Sequence, residues 1–98
     1  MTVDDEEGAP CIRLAGDFDL AAVSRVRTVL RPLLEQEEPG RVTIDLGAVD
    51  LVETVTASFL VREQLAAHAR GKGLEIRGAR GIARRLLALA GARLPAED

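Results

Sequence analysis

In three stretches of the chain apolar and polar residues alternate with a period of two, and after each stretch apolar residues recur every three to four positions. Between Cys11 and Ala15, Ile12 and Leu14 share one face while Cys11, Arg13 and Ala15 share the other. Between Arg41 and Leu46, Val42, Ile44 and Leu46 alternate with Thr43 and Asp45. Between Leu74 and Arg77, Leu74 and Ile76 oppose Glu75 and Arg77. All three are predicted strands. Met1 to Val3 is predicted as a short edge strand, folded back as a hairpin onto the residues after Pro10 across a polar break at residues 4–8.

The helical stretches follow in turn. After a turn at Gly16 to Asp19, with Asp19 as the cap, a helix over Leu20 to Gln36 places Leu20, Val23, Val26, Leu30, Leu33 and Leu34 on one stripe. Pro32 removes a backbone donor inside it, at about 3 kcal/mol if nothing compensates, and predicts a bend near Thr28 to Pro32 rather than a break. Pro39-Gly40 ends that unit. After a loop from Gly47 to Glu53, a second helix over Thr54 to Arg70 is expected to bury Ala57, Leu60, Val61, Leu65 and His68 or Ala69, and to close at Gly71-Lys72-Gly73. A last helix over Arg80 to Ala90 is expected to bury Ile82, Leu86 and Leu89, stopping at Gly91.

This order of elements implies parallel strands joined by right-handed crossovers. Strands covered on both faces read as unbroken apolar runs, whereas these alternate, so the helices are expected on one side and the strands side by side in chain order. The expected fold class is therefore α/β: a two-layer superhelical (βα) domain, with a mostly parallel four-stranded sheet and helices on one face. With 98 residues, one domain is expected over 1–98, its core at about 11–94.

Composition narrows the chemistry. Of the 47% apolar residues only Phe18 and Phe59 are aromatic, so the core is aliphatic. No apolar run approaches 18 residues and no signal-peptide pattern opens the chain, so a soluble, cytoplasmic protein without direct membrane insertion is expected. Neither a dinucleotide-binding nor a P-loop glycine motif is present, and Gly71-Lys72-Gly73 follows a helix and precedes a strand, the reverse of a phosphate loop. Ser58 and His68 stand about 15 Å apart along one helix, too far for a catalytic triad. Cys11 and His68 fall short of a zinc site, and Asp17, Asp45 and Asp50 lack the opposing lysine of a phospho-aspartate site. No catalytic residue, metal or cofactor is expected.

Thirteen basic and sixteen acidic residues leave a net charge of −3, unevenly spread. Residues 1–19 hold six acids against Arg13, and residues 76–96 hold five arginines and no acid. Arginine outnumbers lysine twelve to one, which favours bidentate contacts with carboxylate or phosphate. Arg80, Arg84 and Arg85 on the last helix do not read as a DNA-binding set, because no aromatic side chain is there to stack and no second helix crosses a backbone. They are expected to face solvent or pair with acids such as Glu75, and no nucleic-acid partner is expected.

The segment from Asp50 to Leu60 is a strand-to-helix junction carrying Glu53, Thr54, Thr56 and Ser58. A helix start presents unpaired backbone donors and the positive end of the dipole, so it can hold a phosphate or a phosphorylated hydroxyl. Alone it reads first as a helix capped by Thr54, with Glu53 a favourable acid beside it.

The ordered motifs of the chain resemble those of the STAS domain, the module of bacterial anti-sigma-factor antagonists, from about Cys11 to Leu94. Gly16-Asp17-Phe18-Asp19-Leu20 is similar to that family's G-[DE]-x-D-L segment, and Asp45-Leu46 to its strand-ending Asp-Leu. Val52 to Ser58 lies where the family has hydrophobic-Asp-Ser-Ser-Gly-Leu-Gly, and Gly81 to Gly91 resembles its closing helix. The resemblance implies a superhelical β-α fold and a non-enzymatic regulatory module that binds a serine-kinase or ATPase anti-sigma partner to control transcription. It also places Val55, which has no hydroxyl, in the column of the usual phosphoacceptor. Thr54 and Thr56 are the possible substitutes, and otherwise the switch is lost. Asp17, Asp19, Glu53, Thr54, Thr56 and Ser58 are the expected partner-binding residues, forming one surface at the carboxyl end of adjacent strands. Two other readings stay open: an accessory subunit of a larger assembly, such as a lipid-transport ABC system, docking on its ATPase subunit, and a small ligand- or nucleotide-sensing domain.

Overall fold

The chain opens with a hairpin whose two turn residues, Glu7 and Gly8, both adopt positive φ, 54° and 82°. That left-handed pair matches the natural twist of two antiparallel strands, and glycine takes it without strain. It joins β1 (Thr2–Glu6) to β2 (Ala9–Phe18), which pair antiparallel from Thr2↔Arg13 to Glu6↔Ala9. The hairpin expected for Met1 to Val3 is thus present but longer, because the acids at 4–6 continue the strand and only residues 7 and 8 turn. In this computed structural model, residues 1–38 and 40–95 are described. Pro39, expected to end the first unit together with Gly40, lies outside the described residues.

α1 (Leu20–Glu35), β3 (Arg41–Val52), α2 (Thr54–Ala69), β4 (Gly73–Arg77) and α3 (Gly81–Ala90) complete the fold. The sheet order is β1-β2-β3-β4, with β2, β3 and β4 mutually parallel. The helices pack on the face that carries Ile12, Ile44 and Ile76, and these three isoleucines are fully buried with Val26, Leu30, Leu60 and Leu87. Chain-order strands with helices on one side are what the alternation predicts.

The strands outrun their expected ends. β2 continues through Gly16 to Phe18, where a turn was expected, and β3 continues through Gly47 to Val52, where a loop was expected. The register explains the miss. Arg13 pairs with Asp45 but Ala15 with Ala48, and Gly16 pairs with Val49 but Asp17 with Leu51, so β3 carries an extra residue twice. Each bulge shifts the side-chain alternation by one, and the period-two signal disappears from the sequence. At the first bulge, Gly47 lies against Gly78, where a Cβ would sit 2.7 Å from the Gly47 nitrogen, and Gly78 has φ +81. Only glycine fits there.

The helices also depart in part from their expected stripes. α1 runs unbroken through Pro32 and buries Val23, Val26, Leu30 and Leu34, but Leu20 at its start is 63% exposed. α2 lies between α1 and α3 above the sheet and buries residues around most of its circumference, including Thr56, Phe59, Val61 and Ala67. Leu65, His68 and Ala69, expected inside, are exposed. α3 buries Leu87 alone, with Ala83 partly covered; Ile82 and Leu89 are exposed and Leu86 is half-buried. Two arginines of this segment bond to backbone oxygens: Arg80 Nη2 donates to the Gly47 carbonyl at 3.0 Å and Arg84 Nη2 to the Pro95 carbonyl at 2.6 Å. They hold backbone oxygens rather than Glu75. Lys72, buried in the turn before β4, donates through Nζ to the Leu33 carbonyl at 3.3 Å, in the last turn of α1, where the helix dipole favours a cation.

Candidate functional site

The carboxyl ends of β2 and β3 lie side by side, with Asp17 paired to Leu51 and Phe18 to Val52, and each strand passes directly into a helix. Asp19 caps α1, its Oδ1 accepting from the Ala22 amide at 3.1 Å. Glu53 occupies the cap position of α2, but its side chain makes no capping bond. Thr54 is therefore the first helical residue and not the cap. The role expected of a cap hydroxyl falls instead to Thr56. Its Oγ1 lies 2.8 Å from the Glu53 carbonyl and 2.9 Å from the Phe18 carbonyl, one proton shared between two acceptors. That hydroxyl fastens the start of α2 to the end of β2.

The expected site residues accordingly separate by depth. Asp17, Glu53 and Thr54 are exposed, Asp19 and Ser58 are half-buried, and Thr56 has no exposed surface. Asp17, Asp19, Glu53 and Thr54 lie at the two strand-to-helix junctions and Ser58 a turn into α2, while the Thr56 hydroxyl is spent on the interior, which leaves Thr54 as the open hydroxyl of the helix start. Val55 is beside it and 47% exposed.

Pattern reading missed the apolar part of this edge. Leu20 begins α1, Leu51 stands opposite Asp17, and Val55 follows Thr54; they are 63%, 51% and 47% exposed. Leu20, Leu51 and Val55 lie at the same strand-to-helix junctions as Asp17, Asp19 and Glu53, so the carboxyl ends of β2 and β3 expose apolar side chains as well as carboxylates. Leu20 has the period of the buried stripe of α1. At the first helical position it is left largely open among the described residues. Leu51 was unreadable because the second bulge sets its orientation.

The face of the sheet without helices carries a charged ladder. Arg13, Asp45 and Arg77 stand in register across β2, β3 and β4. Arg13 reaches Asp4 at 3.0 Å, Glu6 at 2.9 Å and Asp45 at 2.9 Å. Arg77 grips Glu6 with two bonds, 2.7 and 2.6 Å, and lies 3.4 Å from Asp45. The Arg77 guanidinium lowers the Glu6 pKa to about 2 and has its own raised in return, both mainly through these bonds. Beneath them Cys11 is fully buried, Arg77 Nη2 lying 3.7 Å from its sulfur, and burial pushes the thiol pKa up. Among the described residues, no three His, Cys, Asp or Glu side chains are grouped as a metal ion needs, and no helix is long and apolar enough to cross a membrane.

A sheet wound in chain order, helices on one side and a helix start at its carboxyl edge are the features of a STAS domain. The chain belongs to that family: the model described as "Mlab, STAS domain" matches residues 1–93. Among solved structures, the unphosphorylated anti-sigma factor antagonist SpoIIAA superposes with a TM-score of 0.77 at 12% identity, over 99% of this chain and 88% of that one. The STAS domain of a SulP transporter from Vibrio cholerae superposes with a TM-score of 0.65 at 24% identity, over 88% of this chain and 66% of that one. At such identities the likeness concerns the fold. No curated protein matches the chain.

Proposed function

We propose that this chain is a non-enzymatic docking module that binds a protein partner through the carboxyl edge of β2 and β3, in the manner of an anti-sigma-factor antagonist acting on a serine-kinase or ATPase anti-sigma factor in the bacterial cytoplasm. The observation that carries the reading is the exposure of Leu20, Leu51 and Val55, together with the acids Asp17 and Glu53, at the ends of β2 and β3 and the helix starts that follow them. Buried apolar contacts supply most of the affinity at such a surface, and the acids select a partner carrying arginine. Likeness to SpoIIAA supports the choice of partner class.

In this reading the phosphorylation switch is degenerate. Val55 cannot accept a phosphoryl group, and the Thr56 hydroxyl is enclosed and bonded, so Thr54 is the one residue of the helix start whose hydroxyl is both present and open. Incubated with ATP and the cognate kinase, the chain is expected to stay unmodified or to take phosphate on Thr54 alone, as mass spectrometry reads. Stoichiometric phosphate on Ser24 or Ser58 would place the switch elsewhere. The second reading, an accessory subunit docking on the ATPase of a larger assembly such as a lipid-transport ABC system, is favoured by exposed Thr54 as a docking hydroxyl. A photo-crosslinking residue placed at Val55 separates the two by the partner it captures.

A further inference from the structure

Behind the docking edge, a groove of about 530 Å³ runs between α1 and α2. Arg27 and Arg31, four residues apart, face it from α1; Arg62 faces it from α2 and Arg70 from the cap at that helix's carboxyl end. Only Glu35 and Glu63 oppose them, so the groove is net positive on a chain that is net negative. Four arginines outside the groove are bonded within the fold: Arg13 and Arg77 to carboxylates, and Arg80 and Arg84 to carbonyl oxygens. Among the described residues, the side chains of the four groove arginines make no hydrogen bond or ion pair. Arg27 instead lies flat over Phe59, 5.4 Å from the ring centroid, and its Nε is buried without a partner. A buried donor left unpaired is costly, and an acceptor arriving in the groove would relieve it.

From this we infer that the α1–α2 groove is a second recognition surface, built for an acidic, amphipathic segment of a protein partner. Four guanidinium groups on two neighbouring helices are complementary to carboxylates presented along one side of such a segment. The floor beside Phe59 is made by buried Leu34 and Ala67 and by exposed Ala66, whose small side chain leaves room for an apolar side chain of an incoming helix. Nucleic acid fits less well. Phe59 is 2% exposed and covered by Arg27, so no base can stack on it. Phe59 lies one helical turn beyond Val55, so the groove begins where the docking edge ends. The inference does not depend on which partner that edge takes.

The test is fluorescence anisotropy with a fluorescein-labelled amphipathic peptide of about sixteen residues, roughly four helical turns, made of glutamate and leucine. Its lysine–leucine counterpart, a single-stranded oligonucleotide and inorganic phosphate are compared with it. The acidic peptide is expected to bind in a salt-sensitive way, and Arg31→Glu with Arg70→Glu to weaken it by at least about tenfold. Arg85→Glu on α3 is expected to leave binding unchanged. Arg31 and Arg70 are exposed and unbonded, so the double variant is expected to keep its melting temperature; the milder Arg31→Gln with Arg70→Gln pair gives the same reading should it not. Equal affinity in wild type and double variant, no binding of the acidic peptide, tighter binding of the oligonucleotide or of the lysine peptide, or displacement by phosphate alone would each overturn the inference.

Discussion

Thr56 is where sequence and structure assign one side chain different work. From the sequence, Thr54 and Thr56 are equivalent hydroxyls near a helix start. In the fold, one is open and the other is enclosed between the carbonyl oxygens of Phe18 and Glu53. The difference follows from helix geometry, since two residues of separation turn a side chain by more than a right angle. Replacing Thr56 with valine keeps the shape and removes the proton, leaving a buried carbonyl without its donor. Thr56→Val is expected to destabilise the domain by about 1–3 kcal/mol, and Thr56→Ser to recover most of the loss, measured by urea unfolding. A neutral valine variant would mean that the two carbonyls do not depend on this hydroxyl. Leu20 teaches a related point: a residue with the right period at a helix end is buried only if something lies above it.

Among the elements, the strands are read best where they pair without interruption. β4 and the first half of β3 follow from alternation alone, whereas the two bulges hide the second half of β3, and with it the orientation of Leu51. α2 shows no clean stripe because it packs on three sides, and α3 sends Leu87 into the core with Ala83 against it, which leaves Ile82 and Leu89 outside. The ladder over the open sheet face was unreadable for another reason. It depends on register across strands far apart in the chain, and only the fold places Arg13, Asp45 and Arg77 in one row. Glu6 closes that row from β1, so the hairpin is held by charge as well as by its backbone pairing. Because its folded pKa is depressed from 4.5 to about 2, the stability it contributes is complete above pH about 4.5 and is lost as pH falls through about 2. Melting temperature is therefore expected to fall more steeply in the wild type than in Glu6→Gln across that window. Parallel curves would show that Glu6 is not held as described.

For the molecule as a whole, charge and apolar exposure are distributed by surface. The open sheet face is sealed by internal ion pairs, the carboxyl edge offers apolar side chains among acids, and the α1–α2 groove is basic. Motif order made the family and the position of the edge legible, since Asp17, Asp19, Glu53 and Thr54 all fall there. The exposed apolar residues of that edge, Leu20, Leu51 and Val55, emerged only from the three-dimensional fold. The central claim is that this edge docks a partner and is not merely a structural margin. Titration calorimetry of the partner captured at Val55 against wild type, Asp17→Lys and Leu51→Asp tests it most directly, with melting curves of the three proteins alongside. The account predicts at least about a tenfold loss of affinity in each variant, with melting temperatures close to wild type, because both side chains are exposed in the free domain. Unchanged affinity in both variants, or a loss that merely tracks unfolding, would contradict it.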